Sequence, residues 1–403
     1  MAEAIDHTQD EQISDTGGTR WLLSADSDIT PTVSVVMPTL NEEDGIAECI
    51  ERVRNALDKL QVHGEVIISD SSTDRTPEIA REMGAIVVEP DGKGYGYAYR
   101  YAFDRVRGEY VVMGDADTTY DFERIPALLE PVRDGSADIC MGSRLEGEIR
   151  DGSMPPLHQY LGNPMLTKFL NTFYDAGVSD AHSGFRVFSR SALDELDLDT
   201  DGMEFASEMI MDAGAKGLDI EEIPIVYHER EGEETLDSFS DGWRHVRFML
   251  VNAPGYLFSI PGLTLGMAGL LIMTIAFTGV SVFSVGLGPH SMIAGSLFVL
   301  VGFQVLNMGV FATITGDPIQ QPTDRFTKWL TDNLRLERGV MAGLAMFTAG
   351  GAYAGYLLFQ WVSSGFTRLP LLLGDIAAFT AIVLGLQTVF SAFFMSTIVS
   401  QRN

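Results

Sequence analysis

The sequence predicts an α/β domain built on a mainly parallel sheet, followed by an all-α domain of four transmembrane helices. Short β-branched runs alternate with longer helical patterns from Val33 to about residue 142, which is typical of βαβ units. After Trp243 the composition changes, and four apolar stretches each reach the roughly 20 residues that a helix needs to cross a bilayer core. The chain is therefore expected to contain one water-facing domain and one membrane domain.

The first half of the chain is expected to supply five strands and three helices to the sheet domain. Val33–Met37 is a short apolar, β-branched run, and residues 46–60 repeat apolar side chains at i, i+4 and i+7, as one face of a helix does. A further helix is expected after Asp74, with Pro77 in its first turn, and another over residues 94–106. The other expected strands are Glu65–Asp70, Ala85–Val88, Tyr110–Met113 and Asp138–Gly142.

Composition divides the chain into four regions. Residues 1–30 are predicted to form an acidic disordered lead, because they carry several Asp and Glu and no apolar core. Residues 31–242 form the predicted sheet domain, and residues 243–256, which begin with Trp243 and nearby cations, form a predicted interfacial juxtamembrane helix. Residues 257–403 contain the predicted transmembrane helices, at about 257–285, 291–315, 340–362 and 371–398.

The acidic charge of the chain lies in its first 256 residues. They contain 51 Asp and Glu against 21 Lys and Arg, whereas residues 257–403 contain 5 against 6. Such a surface repels nucleic acid, so no nucleic-acid partner is expected. Only 5 of the 27 cationic residues are Lys, and this composition resembles that of halophilic archaea and other salt-loading halophiles, whose molar salt screens charge over about 3 Å.

The distribution of cations between the apolar stretches predicts the orientation in the membrane. Residues 316–339 contain four Lys and Arg, whereas the loop between the first and second stretches contains none. By the positive-inside rule, the 316–339 loop, both termini and the acidic domain are expected on the cytoplasmic side of the cell membrane. The pairs Gly262/Gly266 and Gly351/Gly355 are small-residue motifs that indicate close helix packing and a possible homo-oligomer.

Polar side chains follow the end of each predicted strand. In an open α/β sheet, ligands bind outside the carboxyl ends of the strands. The run EYVVMGDADTTYDF places Asp115 and Asp117 directly after a buried strand. Two carboxylates at such a position suit Mg²⁺ or Mn²⁺ shared with a diphosphate, since hard cations prefer oxygen ligands. An isolated D-x-D is more often a solvated turn, so the surrounding motifs decide between the two interpretations.

The chain contains, in this order, the segments VSVVMPTLNEE, IISDSSTDRT, DGKGYGYAYRYAF, GDADTTYDF, MGSRLEG, DAHSGFRVFSRSAL and GMEFASEMI. Together they closely resemble the family-2 glycosyltransferases of GT-A fold, in particular the dolichyl-phosphate mannose and glucose synthases. The resemblance covers about residues 33–250, and the four-helix tail looks like the membrane anchor of some of those synthases. It implies transfer of a hexose from UDP-glucose or GDP-mannose to dolichyl or polyprenyl phosphate, in protein or lipid glycosylation.

The resemblance also implies roles for individual residues. Asp115 would contact the nucleotide and the metal, Mg²⁺ or Mn²⁺, and Asp117 would be the principal metal ligand. Lys93 would lie near the donor phosphates, and one of Glu204 and Glu208, which lie one turn apart on a helix and could instead be a surface pair, would point into the site. The nucleoside is expected against Pro38, Leu40, Glu42 and Asp70, and the phosphates among Arg144, Arg186 and Arg230. The residues expected to carry catalysis are Asp117, Arg144, Arg186 and Glu208.

The sequence departs from the usual synthase motifs at four places. The D-x-D-x-Q motif has Thr119 in place of its Gln, and the adjacent acids after the second strand are reduced to Ser69-Asp70. HQYLGN has Gln159 where an Arg often precedes the tyrosine, and GEETL around Thr235 lacks the usual Lys. The coordination sphere or the metal preference is therefore expected to differ from the usual one. Two cations on the acceptor side are expected to be absent, so either the acceptor affinity is relaxed or His158, Lys168 and Arg230 compensate.

Three functions are consistent with these motifs. A lipid phosphate has a second pKa of about 6, so it attacks as a dianion, needs no general base and inverts the anomeric carbon in one displacement. A transferase acting on a sugar hydroxyl needs a carboxylate base, for which Glu204 or Glu208 is available. A membrane scaffold that binds nucleotide-sugar is the third. The motifs favour the lipid-phosphate synthase, because paired Arg side chains suit a phosphate acceptor.

Overall fold

The structure is a computed structural model, and it describes residues 20–174, 176–230, 238–282, 285–315, 336–367 and 372–402. The chain divides into two compact units. The first comprises Met1–Asn171 together with Ala176–Gly242, and the second comprises Thr172–Asp175 together with Trp243–Asn403.

The first unit is built on one seven-stranded sheet. Its strands are β1 (Val33–Thr39), β2 (Gly64–Asp70), β3 (Ile86–Val88), β4 (Tyr110–Met113), β5 (Ile139–Ile149), β6 (Arg186–Ser189) and β7 (Ile220–Tyr227). They lie in the order β3-β2-β1-β4-β6-β5-β7, and every pairing is parallel except the two that β6 makes with β4 and β5. The predicted mainly parallel α/β sheet is confirmed.

Helices join these strands at the positions where the sequence repeats apolar residues with a helical period. They are α1 (Ile46–Leu60), α2 (Thr76–Glu82), α3 (Tyr95–Phe103), α4 (Ile125–Asp134), α5 (Asn163–Tyr174), α6 (Arg190–Glu195) and α7 (Phe205–Lys216). The predicted apolar face of α1 is the face that packs, since Ile46, Ile50, Val53 and Leu57 are fully buried in the core. Leu60 is only partly buried against that core.

Residues 20–30 are ordered, which corrects part of the predicted disordered lead. Leu22 and Leu23 are buried, and Leu22 forms a parallel bridge with Gly64 at the start of β2. The prediction of disorder rests on the acidic composition of residues 1–30 and does not consider Leu22 and Leu23. Burial of these two side chains stabilises the segment. The prediction for residues 1–19 concerns residues outside those that the structure describes.

The sequence pattern predicts five of the seven strands and misses β6 and β7. Strand β6 lies between β4 and β5 and runs antiparallel to both, with Arg186 opposite Met113 at the end of β4. A four-residue strand outside a βαβ unit gives too short a pattern to be recognised. Its register matters for the site, because it brings the segment before Arg186 beside the residues that follow β4.

The second unit is helical. Its elements are α8 (Ser238–Val251), a π-helical segment Gly255–Ser259, α9 (Ile260–Thr278), the short strands β8 (Ser281–Val282) and β9 (Val285–Gly286), α10 (Pro289–Thr315), α11 (Leu336–Ser363) and α12 (Leu372–Arg402). Among the described residues of this unit, four helices are long and apolar enough to cross a membrane. The first ends at Thr278, earlier than predicted, because Gly279 adopts a left-handed conformation that terminates the helix.

Glycines bring α9 and α10 into backbone contact. A Cβ on Gly262 would lie 2.8 Å from the carbonyl oxygen of Gly302, and a Cβ on Gly302 would lie 2.5 Å from the backbone nitrogen of Gly266. The Gly262/Gly266 pair therefore packs two helices of one chain. At Gly351 and Gly355 an added Cβ meets no atom within 4 Å.

Candidate active site

The D-x-D motif lies where β4 ends, at the carboxyl edge of the sheet. The hydroxyl of Tyr95 on α3 donates to Asp115 Oδ1 at 2.8 Å. Asp117 Oδ1 accepts the hydroxyl of Thr119 at 2.6 Å and the N–H of Thr119 at 3.2 Å. Between them, Thr118 has a φ of 64°, and this left-handed residue turns the chain so that Thr119 reaches back to Asp117. Thr119, which stands where Gln is usual, therefore orients the second carboxylate.

A third carboxylate, Glu42, follows β1 and joins this cluster through an arginine. Arg230, three residues after β7, forms an ion pair with Glu42 at 2.5 Å, and its Nε lies 3.8 Å from Asp117 Oδ2. An antiparallel bridge between Tyr120 and Tyr227 brings the end of β7 to the residues after the D-x-D motif. Glu42 and Arg230, two of the residues expected to bind the nucleotide-sugar, are thus in direct contact.

The carboxylates of this cluster repel one another in a partly desolvated place. Burial raises the pKa of Glu42 to about 7, with Arg230 opposing the shift and Asp117 adding to it. Burial and the neighbouring Asp117 raise the pKa of Asp115 to about 6. A cation bound beside these carboxylates would favour their ionised form.

The cluster fits a divalent cation that a bound ligand helps to hold. Within the described parts of the chain, no three His, Cys, Asp or Glu side chains are grouped as a metal site. Asp115 Oδ2 and Asp117 Oδ2 accept no hydrogen bond from described residues. Gly184 lies over Asp115, where a Cβ would come within 3.0 Å of Oδ2, so glycine keeps that oxygen accessible. Two such carboxylates suit Mg²⁺ or Mn²⁺ when phosphate oxygens and water complete the coordination.

The guanidinium of Arg144, in the middle of β5, forms an ion pair with the buried carboxylate of Asp180. Its Nε and Nη2 donate to the two oxygens of Asp180 at 2.7 and 2.8 Å, and its backbone N–H donates to Oδ2 at 3.0 Å. Burial acts to raise the pKa of Asp180, but Arg144 keeps that pKa below its usual value. The guanidinium carbon lies 5.2 Å from the ring centroid of Tyr227, and Tyr227 forms an antiparallel bridge with Tyr120, three residues after Asp117. The structure therefore places Arg144 close to the D-x-D motif.

Arg186, predicted to bind phosphate, is fully buried at the start of β6. Its Nε donates to the carbonyl of Ser183 at 2.9 Å and its Nη2 to that of Ala181 at 3.0 Å, while the buried Nη1 has no hydrogen-bond partner. Burial lowers its pKa to about 10. In this conformation Arg186 supports the turn before β6, and its contact with a phosphate stays a prediction that requires a ligand at Nη1.

Glu208, the predicted catalytic carboxylate on α7, holds the backbone of a loop. It accepts the N–H of Asp199 at 3.1 Å and the N–H of Thr200 at 3.0 Å. Burial raises its pKa, and these N–H groups oppose the shift. No hydrogen bond of Glu208 among the described residues reaches the D-x-D motif, and its part in catalysis stays a prediction.

The predicted nucleoside-binding residues lie at the ends of β1 and β2. Asp70, the last residue of β2, is buried and accepts the hydroxyl of Thr39 at 2.7 Å. Pro38 is in β1, and Leu40, which follows that strand, is 57% exposed. Because β2, β1 and β4 are parallel neighbours, these residues and the D-x-D motif share one edge of the sheet. Lys93 is exposed in the loop before α3.

The segment of the chain that connects β5 to β6 carries an exposed apolar surface. Leu157, Tyr160, Leu161 and Met165 are between 56% and 75% exposed, and they recur at i, i+3, i+4 and i+8 through the π-helical turn His158–Gly162 and the start of α5. Large apolar side chains grouped on a surface mark contact with a membrane or another molecule. From the sequence, this segment is notable only because Gln159 replaces an Arg, and the apolar surface is not predicted.

Four residues of the site are not singled out from the sequence: Tyr95, Asp180, Gly184 and Glu222, whose two oxygens accept the backbone N–H groups of Ser179 and Asp180. Asp180 and Gly184 lie within the DAHSGFR segment, so the motif contains them without indicating their contacts. Tyr95 is one of five aromatic residues in a short helix, and Glu222 is one of two acids in an alternating strand. For these two, the sequence offers no signal that separates a site residue from its neighbours.

Comparison with known proteins decides the family. The family "Glycosyl transferase family 2" matches residues 34–197, and "Glycosyltransferase family 2 C-terminal transmembrane region" matches residues 310–399. The low-salt glycan biosynthesis hexosyltransferase Agl6 of Haloferax volcanii is 61% identical over 381 residues, which cover 94% of this chain and 92% of that protein. The chain belongs to glycosyltransferase family 2. The predicted resemblance is thereby confirmed.

Two further similarities cover about half of this family 2 glycosyltransferase. The dolichyl-phosphate hexose transferase of Haloferax volcanii is 35% identical over 210 residues, which cover 52% of this chain and 89% of that protein. The crystal structure of glucosyl-3-phosphoglycerate synthase from Mycobacterium tuberculosis in complex with Mn²⁺, UDP and phosphoglyceric acid is 26% identical, with a TM-score of 0.46, covering 55% of this chain and 78% of that chain. The two family matches lie in the sheet domain and in the membrane region of this family 2 glycosyltransferase.

Proposed function

We propose that this glycosyltransferase moves a hexose from UDP-glucose or GDP-mannose to dolichyl or polyprenyl phosphate, in protein or lipid glycosylation. The observation that carries the proposal is the proximity of two anion-handling groups at one edge of the sheet. The carboxylates of Asp115 and Asp117 suit a metal-bound donor diphosphate, and the guanidinium of Arg144 suits a second phosphate. The name of the dolichyl-phosphate hexose transferase supports the same acceptor class.

The donor half of the proposal uses the acidic cluster. Asp115 and Asp117 would hold Mg²⁺ or Mn²⁺, which when bound neutralises charge on the leaving nucleoside diphosphate. Arg230 brings a guanidinium to the same place and is positioned by Glu42. We assign the nucleoside to the ends of β1 and β2, where Pro38, Leu40 and Asp70 lie, and the exposed Lys93 to the donor phosphates.

The acceptor half uses Arg144 and the exposed apolar surface. A phosphate monoester is largely dianionic at neutral pH, so the nucleophile needs cations to approach an anionic donor and needs no proton acceptor. The occupied oxygens of Glu208 agree with a reaction that has no side-chain base. The apolar surface around Tyr160 and Leu161 would contact the bilayer in which the acceptor chain is dissolved.

The stereochemistry follows from this arrangement. Direct attack by the acceptor phosphate on an α-linked nucleotide-sugar inverts the anomeric carbon, so the lipid product should be β-linked. Nuclear magnetic resonance of the purified glycolipid gives the anomeric configuration directly. An α-linked product from an α-linked donor would contradict single displacement.

We also propose that the sheet domain and both termini are cytoplasmic. The segment 316–339 carries four Lys and Arg, and the loop between the first two membrane helices carries none. Labelling of single introduced cysteines at 320 and 287 with a membrane-impermeant reagent, in intact and opened cells, tests the orientation.

We further propose that the protein is adapted to molar salt. Residues 1–256 contain 51 acidic and 21 basic residues, and a relative comes from the haloarchaeon Haloferax volcanii.

The decisive experiment follows label from donor to product. Full-length protein in lipid nanodiscs is supplied with radiolabelled UDP-glucose or GDP-mannose, Mn²⁺ and dolichyl phosphate. We expect an organic-extractable product that mild acid hydrolyses. A product that forms only with a hydroxyl acceptor, such as a lipid-linked glycan, would identify a hydroxyl transferase. Donor binding without any product would identify a scaffold, and either result would contradict the proposal.

A further inference from the structure

We propose that Asp180 and Glu222 are positioning residues, which together fix the orientation of the Arg144 guanidinium for the acceptor phosphate. This inference rests on the proposed function, because it assumes that Arg144 binds the acceptor. It assigns a task to the buried carboxylate of Asp180 and the partly buried carboxylate of Glu222, which take no direct part in the transfer. The contacts form a continuous path from β7, through the turn before β6, to the site.

The first step of the path is the grip of Asp180 on one side of the guanidinium. An arginine side chain has five N–H donors, and Asp180 takes the one on Nε and one on Nη2. No described residue accepts a hydrogen bond from Nη1. The Nη1 and Nη2 hydrogens that remain lie along one edge of the planar group, which is the geometry that binds phosphate through two parallel bonds. Asp180 thus selects which edge of Arg144 a ligand meets.

The second step is the grip of Glu222 on the backbone that carries Asp180. Glu222, on β7, accepts the N–H of Ser179 at 2.5 Å and the N–H of Asp180 at 2.9 Å through its two oxygens. The hydroxyls of Ser143 and Ser179 lie 2.7 Å apart and join the same turn to the residue before Arg144. A carboxylate that holds two successive backbone N–H groups fixes the direction of the second residue's side chain.

The burial of these groups indicates that the orientation is maintained against solvent. Asp180 is fully inaccessible, and the side chain of Arg144 is 8% exposed. The guanidinium also packs 5.2 Å from the ring centroid of Tyr227. A charged fork held on two sides has few alternative rotamers, so its free edge is set before the phosphate arrives. Displacement of a positioned group by about 1 Å can cost about a hundredfold in rate.

The test compares acceptor kinetics with donor kinetics in matched variants. Full-length Asp180→Asn and Glu222→Gln are assayed in nanodiscs against a water-soluble short-chain polyprenyl phosphate and, separately, against the nucleotide-sugar. Asp180→Asn should raise the acceptor KM about tenfold or more and lower kcat, with the donor KM changed less than about twofold. Glu222→Gln should shift the acceptor KM in the same direction by a smaller factor, and Asp180→Glu should recover part of the loss.

Glu65→Gln is the matched control for folding. Glu65 is also fully buried and paired with an arginine, but at the other end of the sheet. It should lower the unfolding temperature and leave the acceptor KM unchanged. If Asp180→Asn does not fold, Asp180→Glu and Glu222→Gln carry the same comparison.

The outcomes separate this inference from the proposed function. An active wild type in which Asp180 and Glu222 variants keep the wild-type acceptor KM would overturn the inference alone. Equal losses toward donor and acceptor, matched by Glu65→Gln, would overturn it too, since they indicate general destabilisation. A wild type that uses no lipid phosphate would overturn both.

Discussion

Two buried arginine–carboxylate pairs lie at opposite ends of the same sheet. At the amino ends of the strands, Glu65 at the start of β2 binds Arg107 at 2.7 Å. At the carboxyl ends, Asp180 binds Arg144 at 2.7 Å. Both carboxylates are fully buried. The two pairs share this type of contact, although the side chain of Arg107 is 32% exposed and that of Arg144 is 8% exposed.

The difference is in the donors that each arginine has left. In addition to Glu65, Arg107 donates to the backbone carbonyls of Ser24 and Ser27 at 3.0 and 3.1 Å. Its three guanidinium nitrogens are therefore all hydrogen-bonded within the first unit. Arg144 keeps free donors beside the acidic cluster. The presence of a buried ion pair therefore does not indicate whether an arginine has a structural or a binding role. The N–H groups of the arginine that remain without a partner do indicate it.

The largest expected effect is at the carboxylate that receives the metal. Asp117→Ala should lower turnover about a hundredfold or more, because a metal that acts as Lewis acid contributes several kcal/mol to the transition state. EDTA should abolish wild-type activity, and Mn²⁺ or Mg²⁺ should restore it. Steady-state transfer assays measure both effects.

Asp121→Ala is the control for that variant. Asp121 lies in the same loop, but its oxygen accepts the N–H of Glu123 and caps the next turn. It should reduce stability by about 1 kcal/mol and leave metal dependence unchanged. An Asp117→Ala protein that is fully active in EDTA would refute the metal assignment.

The next effect is on stability at the amino end of the sheet. Arg107→Ala leaves Glu65 buried without its cation, which costs about 3–5 kcal/mol in a fully enclosed pair. The side chain of Arg107 is 32% exposed, so we expect a smaller loss, of about 2 kcal/mol. Denaturant unfolding measures it. The turnover of the folded fraction should equal that of wild type, and a selective change in acceptor KM would break the comparison between the two pairs.

Five of the seven strands could be predicted from the sequence, and the candidate site residues could be placed at one edge because strand ends in an α/β sheet converge by geometry. The roles of these residues stay predictions. Asp115, Asp117 and Arg144 do lie at one edge. The details could not be predicted, since they depend on contacts between distant segments. Thr119 folds back on Asp117 through a left-handed turn, and Glu208 supports a loop. No residue pattern indicates which oxygens of a carboxylate are already occupied.

A smaller effect is expected at Glu208. Glu208→Gln should retain at least about a tenth of wild-type kcat, because the side chain then loses part of its grip on the loop at Thr200 but no proton transfer is removed. Removal of a general base would instead cost about 10² to 10⁴-fold. A folded Glu208→Gln protein that binds nucleotide-sugar and has no turnover would favour the hydroxyl transferase.

The smallest effect is expected at an exposed pair, which completes the comparison. Arg81 and Glu89 lie 3.5 Å apart and are 50% and 79% exposed. Arg81→Ala should change the free energy of unfolding by less than about 1 kcal/mol, and molar KCl should remove even that difference. The Arg107→Ala penalty should persist in KCl, since a buried pair is poorly screened. Equal salt sensitivity of the two variants would contradict the distinction.

The measurement that tests the account most directly compares Arg144→Lys with Arg107→Lys. Lysine keeps the charge that each buried carboxylate requires, but it lacks the planar fork that binds phosphate through two bonds. With short-chain polyprenyl phosphate as acceptor, Arg144→Lys should lose about tenfold or more in acceptor kcat/KM while the donor KM stays near wild type. Arg107→Lys should lose stability only. Wild-type acceptor kinetics in a folded Arg144→Lys protein would contradict the assignment of this arginine, and with it the proposed acceptor site.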